Sequence, residues 1–217
     1  MKYVSIIRDP VERVISEYFW WKSGKRISHS FAWPAELKKV AYENHGNFTK
    51  WILHENNTAH NRQFKTFLDV GAVGDNYGLD GVLNTDVSDC ANINSTKYLR
   101  FWKKFSEERG GLLESGSLEN DLKTSVMNTI SDNFLFVGLT EKMDSSEDVF
   151  SKIAKTRLGK KREKPKGWVD PKTVWHESTK SEVTDFQRSL IRERNRLDIF
   201  LYEKMKGRFD ESVKYYA

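Results

Sequence analysis

The stretch KYVSIIRDPVERVISEYFWW, residues 2–21, changes its hydrophobic period at Asp9-Pro10, and that change limits the folds open to the chain. Up to Arg8 it is a short apolar, β-branched run, which reads as a buried strand. Asp9 can cap a following helix, Pro10 suits its first position, and Glu12 completes a capping-box-like pattern. Val11, Val14, Ile15, Tyr18 and Trp21 then recur at helical spacing and make an apolar face. Arg13, Ser16 and Trp20 fall on the other side.

A second such unit lies far down the chain. NFLFVGLTE (133–141) reads as another buried strand, and a helix is expected over 146–157. Helical patterns are also expected over 33–44, 47–55, 61–68, 95–108 and 118–131. One helical run is expected from Ser181 to about Phe209, with Val183, Phe186, Leu190, Leu197, Phe200, Leu201 and Met205 facing the core. The Gly/Asn/Asp-rich stretch 69–89 and the basic stretch 157–173 read as loops. Strands separated by helices predict an α/β domain with a parallel sheet flanked by helices. Such sheets take ligands at the carboxyl ends of their strands. Arg8 and Thr140-Glu141 both fall there. A strand this early that already carries site chemistry leads us to expect further strands before it, in a longer polypeptide.

Length and composition exclude several classes. A chain of 217 residues can bury one sizeable core, so a single domain over 1–217 is expected. Cys90 is the sole cysteine, which leaves no intrachain disulfide and no cysteine-based zinc site. The histidines His29, His45, His54, His60 and His176 show no metal-ligand spacing, and no metal is expected. No apolar run approaches the roughly 18 residues that would span a bilayer. Lys and Arg number 36 against 31 Asp and Glu, a net charge of +5 that favours anionic partners without choosing among them.

An arginine at a strand's carboxyl end beside a helix N-terminus is a good anion receiver. It offers a planar fork of donors, and the helix end adds backbone N–H groups and partial positive charge. Ser16, on the helix face shared with Arg13, can give a hydroxyl to the same anion. The alternative is plain: Arg8 pairs with a nearby carboxylate and Ser16 is a surface residue.

The run RDPVERVISEY resembles the 3′-phosphate-binding motif of sulfotransferases that use 3′-phosphoadenosine 5′-phosphosulfate (PAPS). It is most similar to that of the Golgi carbohydrate sulfotransferases, including the heparan sulfate 2-O-sulfotransferase and related uronyl sulfotransferases. Their pattern is an apolar strand followed by residues matching Arg8, Asp9, Pro10, Arg13, Ser16 and Tyr18. NFLFVGLTEKMDSSEDVF resembles the family's later strand, and RLDIFLYEKMKGRF (196–209) its ending, where Asp and Leu-Tyr recur. The resemblance implies a P-loop-like sulfotransferase fold, here incomplete at its N-terminus. It implies PAPS as co-substrate, with Arg8 and Ser16 on its 3′-phosphate. Arg13 belongs to the same motif and either touches ligand or pairs with Glu17 or Glu12.

Eight basic residues lie between Lys155 and Lys172, opposed only by Glu163 and Asp170. The plain reading is a solvated loop. In the resembled family a loop before the last helix closes over the cofactor, which implicates Lys160, Lys161 and Arg162. Trp168 could stack on a ring or simply pack. The family's Gly/Ser/Thr/Lys loop for the 5′-phosphosulfate has no counterpart, since no GxxxxGK[ST] follows an apolar strand. The general base is unassigned; His54 and His60 read as surface or packed histidines. The expected reaction is sulfuryl transfer to a hydroxyl of a glycan acceptor, in the Golgi lumen if the source is eukaryotic. A membrane anchor would then come only through a missing N-terminus, and the sequons at Asn47, Asn56 and Asn94 suit a glycoprotein. The alternative is a non-catalytic relative that binds an anionic polysaccharide or a nucleotide. No nucleic-acid-binding motif appears.

Overall fold

The computed structural model describes residues 2–22, 47–54, 57, 59–68, 117–159 and 183–216. Strand β1 (Tyr3–Ile7) leads into helix α1 (Pro10–Lys22), as the period change predicts, but the strand is not the buried one expected: Tyr3, Val4 and Ile6 are exposed and only Ile7 is buried. Two short helices follow, α2 (Phe48–Leu53) and α3 (Arg62–Phe67). Helix α4 (Ser117–Asn133) runs directly into strand β2 (Phe134–Leu139). A 3₁₀ turn (Thr140–Lys142) and helix α5 (Met143–Leu158) come next. Helices α6 (Asp185–Arg194) and α7 (Arg196–Tyr216) end the chain. The described residues are thus mostly helical around a small sheet in which β1 and β2 pair in parallel, with Ile7 opposite Leu139. Among the described residues no helix is long and apolar enough to cross a membrane.

Burial divides the core into two apolar clusters. One gathers Phe64 and Phe67 of α3, Leu122 and Val126 of α4, Phe136 and Leu139 of β2, Val149 of α5, and Leu201 and Phe209 of α7. The other gathers Val11, Val14, Ile15 and Tyr18 of α1, Trp51 and Ile52 of α2, and Ile191 of α6. The apolar face expected of α1 is therefore the buried one at those four positions.

The expected single tail helix is two helices, broken at Asn195. The cause is a set of side-chain hydrogen bonds from distant residues. Asn195 Oδ1 accepts the Asn61 N–H at 2.9 Å, and Asn195 Nδ2 donates to the Ile191 carbonyl at 2.9 Å. Asn61 in turn caps α7, its Oδ1 accepting from the Leu197 and Asp198 amides at 3.0 and 3.2 Å. Its φ of 50° is a conformation that asparagine tolerates better than most residues. Phe186 is a second correction: expected in the core, it is 65% exposed. It stands five residues before Ile191, well over a quarter-turn round α6, so when Ile191 turns inward Phe186 turns out. Val183, Leu197, Leu201 and Met205 are buried as expected, while Leu190 and Phe200 are half-buried.

The end of β2 shows why a glycine stands at 138. A Cβ there would lie 2.9 Å from Ser146 Cβ. Ser146 must stand that close because its hydroxyl accepts from the Leu139 N–H (2.9 Å) and donates to the Leu139 carbonyl (3.1 Å).

Candidate functional site

The parallel pairing brings the carboxyl ends of β1 and β2 side by side, and with them Arg8-Asp9 and Thr140-Glu141. Polar side chains hold this corner. The Thr140 hydroxyl donates to the Ile7 carbonyl at 3.0 Å. The Asp9 N–H donates to Glu141 Oε1 at 2.6 Å. Asp9 Oδ1 accepts the Glu12 N–H at 2.9 Å, the capping contact that the sequence predicts. Two donors at the start of α1 are therefore already used, so an arriving anion would depend chiefly on side chains.

Arg8 is held by its backbone alone. Its N–H donates to Gln63 Oε1 at 2.7 Å, and its carbonyl accepts from Gln63 Nε2 at 2.8 Å. Among the described residues no hydrogen bond or ion pair engages its guanidinium, and the residue is half-buried. Ser16, two turns into α1, is likewise half-buried, with no described partner for its hydroxyl. Lys160, Lys161 and Arg162 lie outside the described residues, as does Trp168.

Arg13 has a different setting. One guanidinium nitrogen donates to Glu17 at 3.0 Å. The other reaches the Ala59 carbonyl at 2.6 Å, Asn195 Oδ1 at 3.2 Å and Asp198 Oδ2 at 3.2 Å. Of the alternatives left open by the sequence, pairing with Glu17 is the one seen, and Asp198 is the partner that the motif did not announce. Asp198 is fully buried and accepts the Phe64 and Gln63 amides at 2.6 and 3.3 Å, so it caps α3 from α7. Burial pushes its carboxyl above the ordinary carboxylate range, opposed chiefly by Arg13. Asn61 and Asp198 thus cap each other's helices, and Arg13 ties both to α1.

Three further residues border this arrangement. The His60 ring Nε2 lies 2.8 Å from the Ile52 carbonyl and donates to it. Burial, then the nearby charge of Lys65, pushes the imidazole down to about 3, so it is neutral and packed. Lys65 is pushed down to about 7 by burial, against the pull of Asp198. Tyr202 of α7 is pushed up to about 12 by burial and then by the carboxylates of Glu141 and Asp9. Among the described residues no group of three or more His, Cys, Asp or Glu could hold a metal ion.

Sequence reasoning missed Gln63, and it noted Asp198 only as the Asp of the chain's RLDIFLY run, not as a partner of Arg13. Asp198 carried a signal, since it shares a helix face with Leu201, Tyr202, Met205 and Phe209, where a lone carboxylate needs a partner. Gln63 carried none. Comparison with protein-family models, curated proteins and solved structures gave no match.

Proposed function

We propose that the chain transfers a sulfuryl group from PAPS to a hydroxyl of a carbohydrate acceptor, on a P-loop-like sulfotransferase domain. The observation that carries this reading is the Arg8 guanidinium, without a described partner, at the carboxyl end of a parallel strand pair, with its backbone fixed by Gln63 of α3. The ribose-side phosphate suits this corner: Arg8 would supply the charged fork and Ser16 a hydroxyl. The described residues offer no comparable cradle for the phosphosulfate end, and the lysines proposed to close over it lie outside them. PAPS would bring the activated sulfuryl group; the chain would bind and orient it. The glycan acceptor and Golgi setting belong to the same proposal.

Calorimetry with 3′-phosphoadenosine 5′-phosphate tests it. Binding should be measurable, and Arg8→Ala should weaken it about 10- to 100-fold, the worth of a hydrogen bond to a charged group. No heat from the nucleotide, with retention on a heparin column, would instead favour a polysaccharide-binding relative. An Arg8→Ala variant that binds like the wild type would remove the 3′-phosphate site.

A further inference from the structure

We infer that Gln63 is a positioning residue for Arg8, an inference that rests on the phosphate-binding role proposed above. A residue just past the end of an edge strand has a free backbone N–H and C=O and little to fix its φ and ψ. Gln63 removes that freedom. Its amide meets both backbone groups of Arg8, at 2.7 and 2.8 Å, as a neighbouring strand would. Nothing in these contacts touches the guanidinium, which stays available.

Gln63 is itself fixed from the other side. Its own N–H donates to Asp198, whose second oxygen takes the Phe64 N–H, so the first turn of α3 cannot rotate away. Asp198 is paired with Arg13 on α1, the helix that starts two residues after Arg8. The contacts form a closed ring: Arg8, Gln63, Asp198, Arg13, and back along α1 through Asp9. In it the two arginines of one motif have separate work. The Arg8 guanidinium is left without a described partner, and Arg13 turns inward to hold the carboxylate that seats Gln63. A glutamine suits the clamp because it alone among side chains of that length offers a donor and an acceptor side by side.

The test is a double-variant cycle on nucleotide affinity. Calorimetry with 3′-phosphoadenosine 5′-phosphate would compare wild type, Gln63→Ala, Arg8→Ala and the double variant, with urea midpoints recorded for each. Gln63→Ala should weaken binding about five- to thirtyfold in the wild-type background, the loss of ordering worth one or two hydrogen bonds. With alanine at position 8 it should change affinity by less than about twofold, although its effect on the urea midpoint stays the same. Equal losses of affinity in both backgrounds would mean that Gln63 acts independently of Arg8, and the inference fails. Should Gln63→Ala not fold, Gln63→Glu keeps the acceptor for the Arg8 N–H and should bind between the two extremes.

Amide hydrogen exchange at Arg8 separates this claim from the function it rests on. Gln63→Ala should speed exchange of the Arg8 N–H at least tenfold whether or not nucleotide binds. If the wild type gives no heat, the proposed function falls, and Arg8 protection unchanged by Gln63→Ala overturns the clamp by itself.

Discussion

Replacing Arg13 with alanine should be among the most damaging single changes in the molecule, and the contacts allow the size to be worked out. Arg13 is the only cation paired with Asp198 among the described ion pairs, and Asp198 is fully buried. Glu17, the other partner, keeps Arg62 at 2.9 Å, so it is not stranded. Asp198 would keep the amides of Phe64 and Gln63 and the weaker pull of Lys65. Leaving a buried charge without its counter-ion costs about 3–5 kcal/mol. At a urea slope of about 2 kcal/mol/M, the unfolding midpoint should fall by about 2 M. Asp198→Asn alone keeps an acceptor for Phe64 and should cost about 1–3 kcal/mol. The double variant should then be more stable than Arg13→Ala, because the stranded charge is gone. Acid should act the same way. Burial raises the Asp198 carboxyl, so the folded chain takes up its proton more readily than the unfolded chain. The penalty for a charged Asp198 is thus absent below the ordinary carboxylate range and grows as pH rises through the raised value. The Arg13→Ala deficit should shrink from pH 7 toward pH 4. A loss below about 1 kcal/mol at pH 7, or a double variant no better than Arg13→Ala, would refute the argument.

Two further expectations concern other buried groups. His60 titrates near 3 in the folded chain against 6.5 ordinarily, so the unfolded chain takes a proton that the folded chain refuses. Stability should therefore fall as pH drops from about 6.5 toward 3, by up to about 1.4 kcal/mol per unit. His60→Gln should flatten that slope in urea titrations between pH 7.5 and 5, and equal slopes would rule out a neutral, packed imidazole. Gly138→Ala should cost about 1–3 kcal/mol in thermal or urea unfolding, because its Cβ would meet Ser146 Cβ at 2.9 Å while Ser146 is tied to Leu139 at both backbone atoms. A change under about 0.5 kcal/mol would show that α5 yields freely.

What the sequence made legible follows from how local each cause is. The strand-to-helix corner was readable because Val11, Val14, Ile15 and Tyr18 keep a period of their own and Asp9 caps three residues ahead. Both strands and the parallel pairing were readable for a similar reason: short apolar runs far apart among helical patterns. The break at Asn195 was not, because the pattern on either side stays helical and the bonds that open it come from Asn61 and Arg13. Phe186 misled because a large apolar residue near a helix start fits either face, and only Ile191 decided which turned inward. Arg8 and Ser16 were singled out by their spacing and by the resemblance, but that Arg13 pairs with Asp198 while the Arg8 guanidinium has no described partner was not legible, since the difference lies in Asp198. Gln63 looks like any polar residue on a short helix. Its importance exists only once residue 8 lies beside it.

The ring around Arg8 also constrains the order in which this part of the chain can form. Gln63 lies 55 residues beyond Arg8, Glu141 lies 132 beyond Asp9, and Asp198 lies 185 beyond Arg13. Contacts spanning such distances must wait for long loops to close, so they form late in folding. A nascent chain can therefore display β1 and α1 long before the backbone of Arg8 is fixed. Shortening the protein from its C-terminus past Asp198 would undo a feature located at the opposite end.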